Sequence, residues 1–289
     1  MDYPCRLSLL GADVDAVTAD DVLDFVSERA LAGRSGLVTN HNLHSLYLFG
    51  RRPELRSLYA RADIIEIDST PLIAWGKLMG LGLNRVHRCT YLDWREDFWA
   101  RAQAEKWRVC HIGGRPEDSE PARAAILKRY PRVQLDVHHG YFDMNGPANE
   151  ALLFDLHLAG PQVLLVGMGM PRQEIWVHNN IERLPPCVVL TVGGAFDYEA
   201  GSQYEPPRWS GRWGIEWLMR FLHDPRRLFE RYFIEPWALM PAMLGDVARR
   251  LTGKIVAVPR PDLKLGLKPH VEAAPAVTTP AAVPAQRRA

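Results

Sequence analysis

Two apolar runs that end in glycines, and an acid that follows a third run, are the residues of this chain best suited to chemistry. In VLLVGMGMPRQEIWVHNN, residues 163–180, Gly167 and Gly169 end a strand-like run and Pro171 opens a helical stretch carrying Gln173 and Glu174. Glycines there let a ligand approach the backbone closely, and the free N–H groups at a helix start suit a phosphate. The same residues would also serve as a tight strand-to-helix turn without a ligand. They fall short of the dinucleotide fingerprint GxGxxG, because Arg172 stands at its last glycine. A second run, TVGGAFDYEAG at 191–201, ends in Gly193 and Gly194 and continues to Asp197, and RVCHIGG ends in Gly113 and Gly114. Adjacent strand ends of this kind make a shared cleft. The third pattern is VTNHN at 38–42 with EIDSTP at 66–71, which set Asn40, Asn42 and Asp68 after two early strands. A carboxylate at Asp68 can take a proton from a hydroxyl nucleophile, and amides beside it can orient a sugar or phosphate. Asp68 could equally cap the helix that begins near Pro71.

A different composition begins near residue 204, where YEPPRWSGRWGIEWLMRFLHDPRRLFERYFIEPWALMPAML interleaves arginine with tryptophan and phenylalanine. Arg208, Arg212, Arg220, Arg226, Arg227 and Arg231 share it with Trp209, Trp213, Trp217 and Trp237. Arginine with interfacial tryptophan suits an anionic membrane surface. Arg227 and Arg231, four apart on one helix, could face a diphosphate in forked geometry. A solvated basic face on a helix pair would read the same way. No metal site is expected: His138 and His139 fall on opposite faces of a strand, no HExxH or paired-cysteine motif occurs, and Asp13 and Asp15 precede the first helix. No cofactor is expected either.

The elements that must hold these residues follow from periodicity. Short β-branched runs at 36–40, 63–68, 108–114, 133–137, 162–169 and 187–194 alternate with amphipathic stretches, such as Thr18 to Gly33 with a threonine start and a glycine stop. This order specifies an α/β fold: a Rossmann-like parallel sheet with helices on both faces, ligands binding beyond the carboxyl ends of its strands. The expected divisions are an α/β ligand-binding core at 1–203, a helical Arg/Trp-rich appendage at 204–253 split at Asp224–Pro225, and a disordered Pro/Ala-rich tail at 254–289.

Composition narrows the classes. Of 289 residues, 47% are hydrophobic, and 35 Lys and Arg balance 34 Asp and Glu. No broad basic field is available for nucleic acid. The four cysteines, Cys5, Cys89, Cys110 and Cys187, form no CxxC pair and fit a reducing cytoplasm. The acidic start lacks the features of a signal peptide, and no window is apolar over about 20 residues, so neither secretion nor a membrane span is expected. A nucleotide-dependent oxidoreductase would use the same alternation, but no GxGxxG follows the first strand. A noncatalytic membrane-associated assembly factor is the other alternative.

In order along the chain these segments resemble the WecG/TagA/CpsF glycosyltransferases, glycosyltransferase family 26, over about residues 10–235. VGMGMPRQEIW resembles the family's G-x-G-x-P-[KR]-Q-E-x-W, TVGGAFDYEAG its V-G-G-A-F-D-x-x-A-G, and GIEWLMRFLHDPRRLFERY its G-L-E-W-x-x-R-x-x-x-[ED]-P-x-R-x-x-R-Y. The resemblance implies inverting, metal-independent transfer of a hexose or N-acetylhexosamine from a UDP-sugar to a polyprenyl-diphosphate-linked saccharide, by a cytoplasmic protein peripheral to the inner membrane. It makes Asp68 the general base and matches Asn42 to the amide of a Thr-x-Asn motif. It sets Gln173 and Glu174 beside the donor, and gives Arg220, Arg227 and Arg231 the task of holding a diphosphate. Family likeness also points to a homo-oligomer.

The chain departs from the family at several places. Ser69 follows Asp68 where the family has glycine, Asn40 stands where threonine is common, YEPP at 204–207 replaces a basic residue before Ala-Pro, and RVHRCTYLDW at 85–94 replaces R-V-x-G-x-D. These differences lean the expected specificity away from N-acetylmannosamine and toward an exopolysaccharide branch, similar to the β-glucosyltransferase that extends a lipid-linked glucose.

Overall fold

Strand pairing at both ends of the chain frames a central parallel sheet in the computed structural model, which describes residues 4–205, 207, 216–254 and 257–263. The first elements are an antiparallel hairpin, β1 (Cys5–Leu9) and β2 (Ala12–Ala16). Helix α1 (Ala19–Ala32) starts in a reciprocal cap between Thr18 and Asp21 and stops at Gly33, whose φ of 63° is left-handed. Then follow β3 (Gly36–His41), α2 (Leu43–Phe49), α3 (Pro53–Tyr59), β4 (Ile64–Ile67), α4 (Thr70–Leu78), α5 (Tyr91–Ala104), β5 (Arg108–Gly113), α6 (Pro116–Arg129), β6 (Gln134–His138) and α7 (Pro147–Ala159). The core closes with β7 (Val163–Gly167), α8 (Arg172–Asn180), β8 (Val188–Thr191) and the short α9 (Ala195–Glu199).

All six expected strands form one parallel sheet in the order β4-β3-β8-β7-β5-β6. Alternate residues of each central strand enter opposite cores. Leu37, Ile65, Cys110, Leu164 and Val189 pack with residues of α2, α3, α4, α7 and α8, including Trp176. Val38, Ile64, Val109, Leu165 and Leu190 pack with α1, α5, α6 and α9, including Trp94, Phe98, Trp99 and Trp107. Burial on both faces is why these strands read as continuous apolar runs.

Two sequence expectations are corrected. Residues 13–15 do not merely precede a helix: they lie in β2, where Asp15 is fully buried. Its carboxylate accepts the N–H of Ile65 at 2.8 Å and pairs with Arg6 at 2.7 Å and Arg260 at 3.3 Å. This carboxylate occupies the outer edge of β4, the strand that leads to Asp68. Nor does structure end at residue 254, because β9 (Ala257–Pro259) pairs antiparallel with β1 and Leu263 is buried. Residues 264–289 of the expected tail lie outside the described residues.

Within the expected appendage, α10 (Glu216–His223) and α11 (Pro225–Phe229) divide at Asp224, and α12 (Met240–Leu251) follows two irregular turns. Helix α12 is fastened to the core by Asp246, which accepts the N–H of Leu10 at 2.9 Å and the indole N–H of Trp75 at 2.8 Å. Arg208, Trp209, Arg212, Trp213 and the Arg227 side chain lie outside the described residues.

Candidate active site at the strand ends

The carboxyl ends of the parallel strands open into a cleft of about 820 Å³, a volume within the range of about 300–1,000 Å³ that encloses small ligands. Its floor is backbone. A Cβ on Gly113 would stand 2.2 Å from the Gly167 carbonyl oxygen, and one on Gly167 would stand 2.6 Å from both the Gly193 oxygen and His111 Nε2. Three strand ends are therefore packed closer than any side chain allows. Gly169 and Gly193 also adopt φ of 76° and 57°, which favour glycine. The Asp197 carboxylate lies over two of these turns, 3.1 Å from where a Gly194 Cβ would be and 3.5 Å from that of Gly114.

Gly167, Gly169, Gly193, Gly194, Asp197, Asn40, Asn42, Asp68, Arg220 and Arg231 all line this one cleft. Asp68 follows β4 and donates its backbone N–H to the His41 carbonyl at 2.9 Å, which continues the β3–β4 ladder. The N-cap position of α4 belongs to Ser69. Asn42 caps α2, accepting the Ser45 N–H at 3.0 Å. Asn40 donates its amide to the Thr191 carbonyl at 2.7 Å and so joins the ends of β3 and β8. Both amides thus fix the cleft floor as well as facing it.

Gln173 and Glu174 are not in the wall. Both are fully buried beneath it, and their contact runs through Gly193. Gln173 Oε1 accepts the Gly193 N–H at 3.1 Å, while its Nε2 donates to Glu174 Oε1 at 2.7 Å. Burial raises the Glu174 carboxyl from 4.5 to about 7, and among the described residues its Oε2 has no hydrogen-bond partner. The turn of α8 rotates both side chains inward, Glu174 toward Tyr59 on α3 and Gln173 toward the Gly193 turn.

Several lining residues escaped the sequence reading. Glu66, two residues before Asp68, is 3% exposed and accepts the Trp94 indole N–H at 3.1 Å. Burial first, then the charge of Asp68, raises its carboxyl well above the ordinary range. Arg88 bridges to Ile67, and the Cys89 N–H bonds the Ile67 carbonyl at 3.1 Å, so residues 88–94 form a wall beside β4. His44 contacts Glu235 at 2.6 Å, and burial followed by the Arg231 charge lowers its pKa. The i, i+2 spacing of Glu66 and Asp68 is the one local signal that could have found any of these.

Arg220 stacks over the Tyr198 ring at 5.6 Å on the core side of the appendage. Leu222, Phe229, Phe233, Ile234, Trp237 and Leu244 of the same segment are exposed, Trp237 by 70%. Among the described residues no helix is long and apolar enough to cross a membrane, and no three His, Cys, Asp or Glu side chains converge as metal ligands.

Residues 7–253 match the model of the Glycosyl transferase WecG/TagA/CpsF family. Relatives from Staphylococcus aureus strains MRSA252, MW2 and NCTC 8325 are each 24% identical over 233 residues, covering 77% of this chain and 87% of the relative. Each is named N-acetylglucosaminyldiphosphoundecaprenol N-acetyl-beta-D-mannosaminyltransferase.

Proposed function

Because the chain belongs to the Glycosyl transferase WecG/TagA/CpsF family, and is a glycosyltransferase, we propose that its cleft moves a hexose or N-acetylhexosamine from a UDP-sugar to a polyprenyl-diphosphate-linked saccharide. The observation that carries this reading is the convergence of Asp68, the glycine-ended strands β7 and β8, and Arg220 and Arg231 on one cleft. The relatives' name supplies the acceptor class, a sugar on diphosphoundecaprenol.

The chemistry follows from the charges. Asp68 takes the proton of the acceptor hydroxyl as its oxygen bonds to the anomeric carbon, and the bond from that carbon to the diphosphate breaks on the opposite face. The configuration inverts and UDP departs with the bonding electrons. Glycine turns at β7 and β8 admit the donor diphosphate to backbone N–H groups, while the guanidinium groups of Arg220 and Arg231 offset its growing charge, the task a divalent cation would otherwise perform. The carboxyl of Asp197 faces the same turns and suits hydroxyl contacts on the donor. The exposed apolar side chains between Trp217 and Leu244, beside the arginines, support peripheral attachment to the inner membrane face, where such an acceptor resides. An exopolysaccharide acceptor accords with the divergent segment at 85–94.

The test is transfer from a panel of radiolabelled UDP-sugars to polyprenyl-diphosphate-linked glucose and N-acetylglucosamine, with and without chelator, comparing wild type with Asp68→Ala. Transfer from one donor that survives chelator, inverts the anomeric centre and collapses in the variant is expected. Full activity in Asp68→Ala would overturn the assignment of the base.

A further inference from the structure

We propose that Glu66 is an acceptor-binding residue, its carboxyl hydrogen-bonding a second hydroxyl of the same sugar ring whose nucleophilic hydroxyl meets Asp68. The inference rests on the sugar-transfer reading of the cleft.

Four observations carry it. Glu66 lies in β4 directly beside Asn40 of β3 in register, and strand alternation sends it to the α5 face of the sheet with Ile64. It lines the cleft although only 3% exposed, so it sits below Asp68 rather than at the rim. Two residues of extended chain set the Cα atoms of Glu66 and Asp68 about 7 Å apart, so two neighbouring hydroxyls of one pyranose ring fall within reach of both side chains. Among the described residues, Trp94 supplies its one hydrogen bond, to Oε1, leaving Oε2 for a ligand.

The surroundings decide the chemistry. Burial, and then the nearby carboxylates of Asp68 and Asp93, disfavour a negative charge on Glu66 and outweigh the indole N–H of Trp94, which favours it, so the protonated form is the one stabilised here. A protonated carboxyl donates one hydrogen bond and accepts others, and a sugar hydroxyl can use both capacities, whereas a phosphate dianion can only accept. The wall that closes over it, residues 88–94, is hydrogen-bonded to the end of β4 and is the segment that departs from the family pattern. Acceptor choice therefore lies between β4 and this wall.

Glu66 could instead serve only to satisfy the buried indole of Trp94, and the experiment separates the two roles. Trp94→Phe removes that need, and Glu66→Leu in the Trp94→Phe background then deletes the carboxyl without orphaning an indole N–H. Full-length Trp94→Phe and the double variant are compared for KM and kcat with the preferred UDP-sugar and with polyprenyl-diphosphate-linked acceptors carrying single deoxy positions. The expected result is an acceptor KM raised ~10-fold in the double variant, the loss typical of one hydrogen bond, with donor KM unchanged. One deoxy acceptor should be a poorer substrate than its parent for Trp94→Phe and no poorer for the double variant, and Glu66→Gln should recover part of the loss. Equal acceptor KM in the two proteins, or a rise in donor KM alone, overturns the assignment while leaving sugar transfer intact. Absence of transfer by wild type with every pair overturns the sugar-transfer reading and this assignment together.

Discussion

Gln173 holds the backbone N–H of Gly193 on its side-chain oxygen at 3.1 Å, from beneath the cleft rather than within it. The amide thereby fixes a turn whose φ of 57° already restricts that position to glycine or a strained substitute. Gln173→Leu leaves the half-buried Gly193 N–H and the buried Glu174 Oε1 without this partner, at a cost of roughly 1–3 kcal/mol. Urea denaturation should show that loss, together with a raised KM for the donor as the turn loosens. An unchanged midpoint and unchanged KM would mean that the bond has no positioning role.

Glu174 makes the stability of the fold depend on pH. Its folded value of about 7 lies above the ordinary 4.5, so the folded protein keeps a proton that the unfolded chain has already released. The resulting penalty is absent below about pH 4.5, grows as pH rises toward 7 and is constant above it. Glu174→Gln removes the titration while preserving an acceptor for Gln173. Between pH 4 and pH 8 the unfolding free energy of the variant should gain about 3 kcal/mol on that of wild type. Parallel pH profiles for the two proteins would contradict this account.

Gly113 and Gly245 should respond oppositely to alanine. At Gly113 the added Cβ meets the Gly167 carbonyl at 2.2 Å, and both partners are backbone of hydrogen-bonded strands. Gly113→Ala is expected to cost more than about 3 kcal/mol, at or beyond the upper end of overpacking effects, and to reduce the soluble yield. Within α12, the nearest atom to a Gly245 Cβ is Arg249 Nη1 at 3.9 Å. Gly245→Ala should therefore raise stability by up to about 1 kcal/mol through helix propensity. Thermal melts of the two variants check both signs.

Asp246 is the bolt of the last helix. It is 2% exposed and accepts hydrogen bonds from Leu10 and Trp75, and its ion pair with Arg249 closes the cluster. Asp246→Ala strands both donors and should destabilise by about 3 kcal/mol or more. Hydrogen exchange should locate the added opening in residues 240–251 before the parallel sheet responds. Uniform loosening of the sheet would argue against a local fastening.

The parts of this molecule that could be read in the sequence are those with a local physical signature. The central strands β3, β5, β7 and β8 are covered on both faces, so their runs are largely apolar, whereas the edge strand β6 alternates, with Gln134 and Asp136 exposed. The hairpin escaped because Asp13 and Asp15 interrupt its apolar pattern, and the burial of Asp15 depends on Arg6 across the hairpin and on Arg260 far away in the chain. In the cleft, Asp68 and the glycines stand at strand ends, where topology alone directs attention. Glu66 hides inside the run IIEI, and Arg88 and Trp94 arrive through a bridge to β4 that no local pattern records. Gln173 and Glu174 are legible from their spacing as a pair beside the donor turns, but not their depth, because the first turn of α8 buries both side chains and Gln173 meets the Gly193 turn from beneath. Periodicity left an oxidoreductase open. The motifs, and the family match over residues 7–253, replaced it with a glycosyltransferase.

The pairing of β1 with β9 has a consequence for synthesis. Strand β1 finds its outer partner only when residues 257–259 have been made, and the second arginine on the buried Asp15 arrives one residue later. A chain halted earlier carries an open strand edge beside a half-neutralised carboxylate, the kind of surface that invites association with other strands or capture by a chaperone. The closing strand thus distinguishes chains extended past Arg260 from shorter ones.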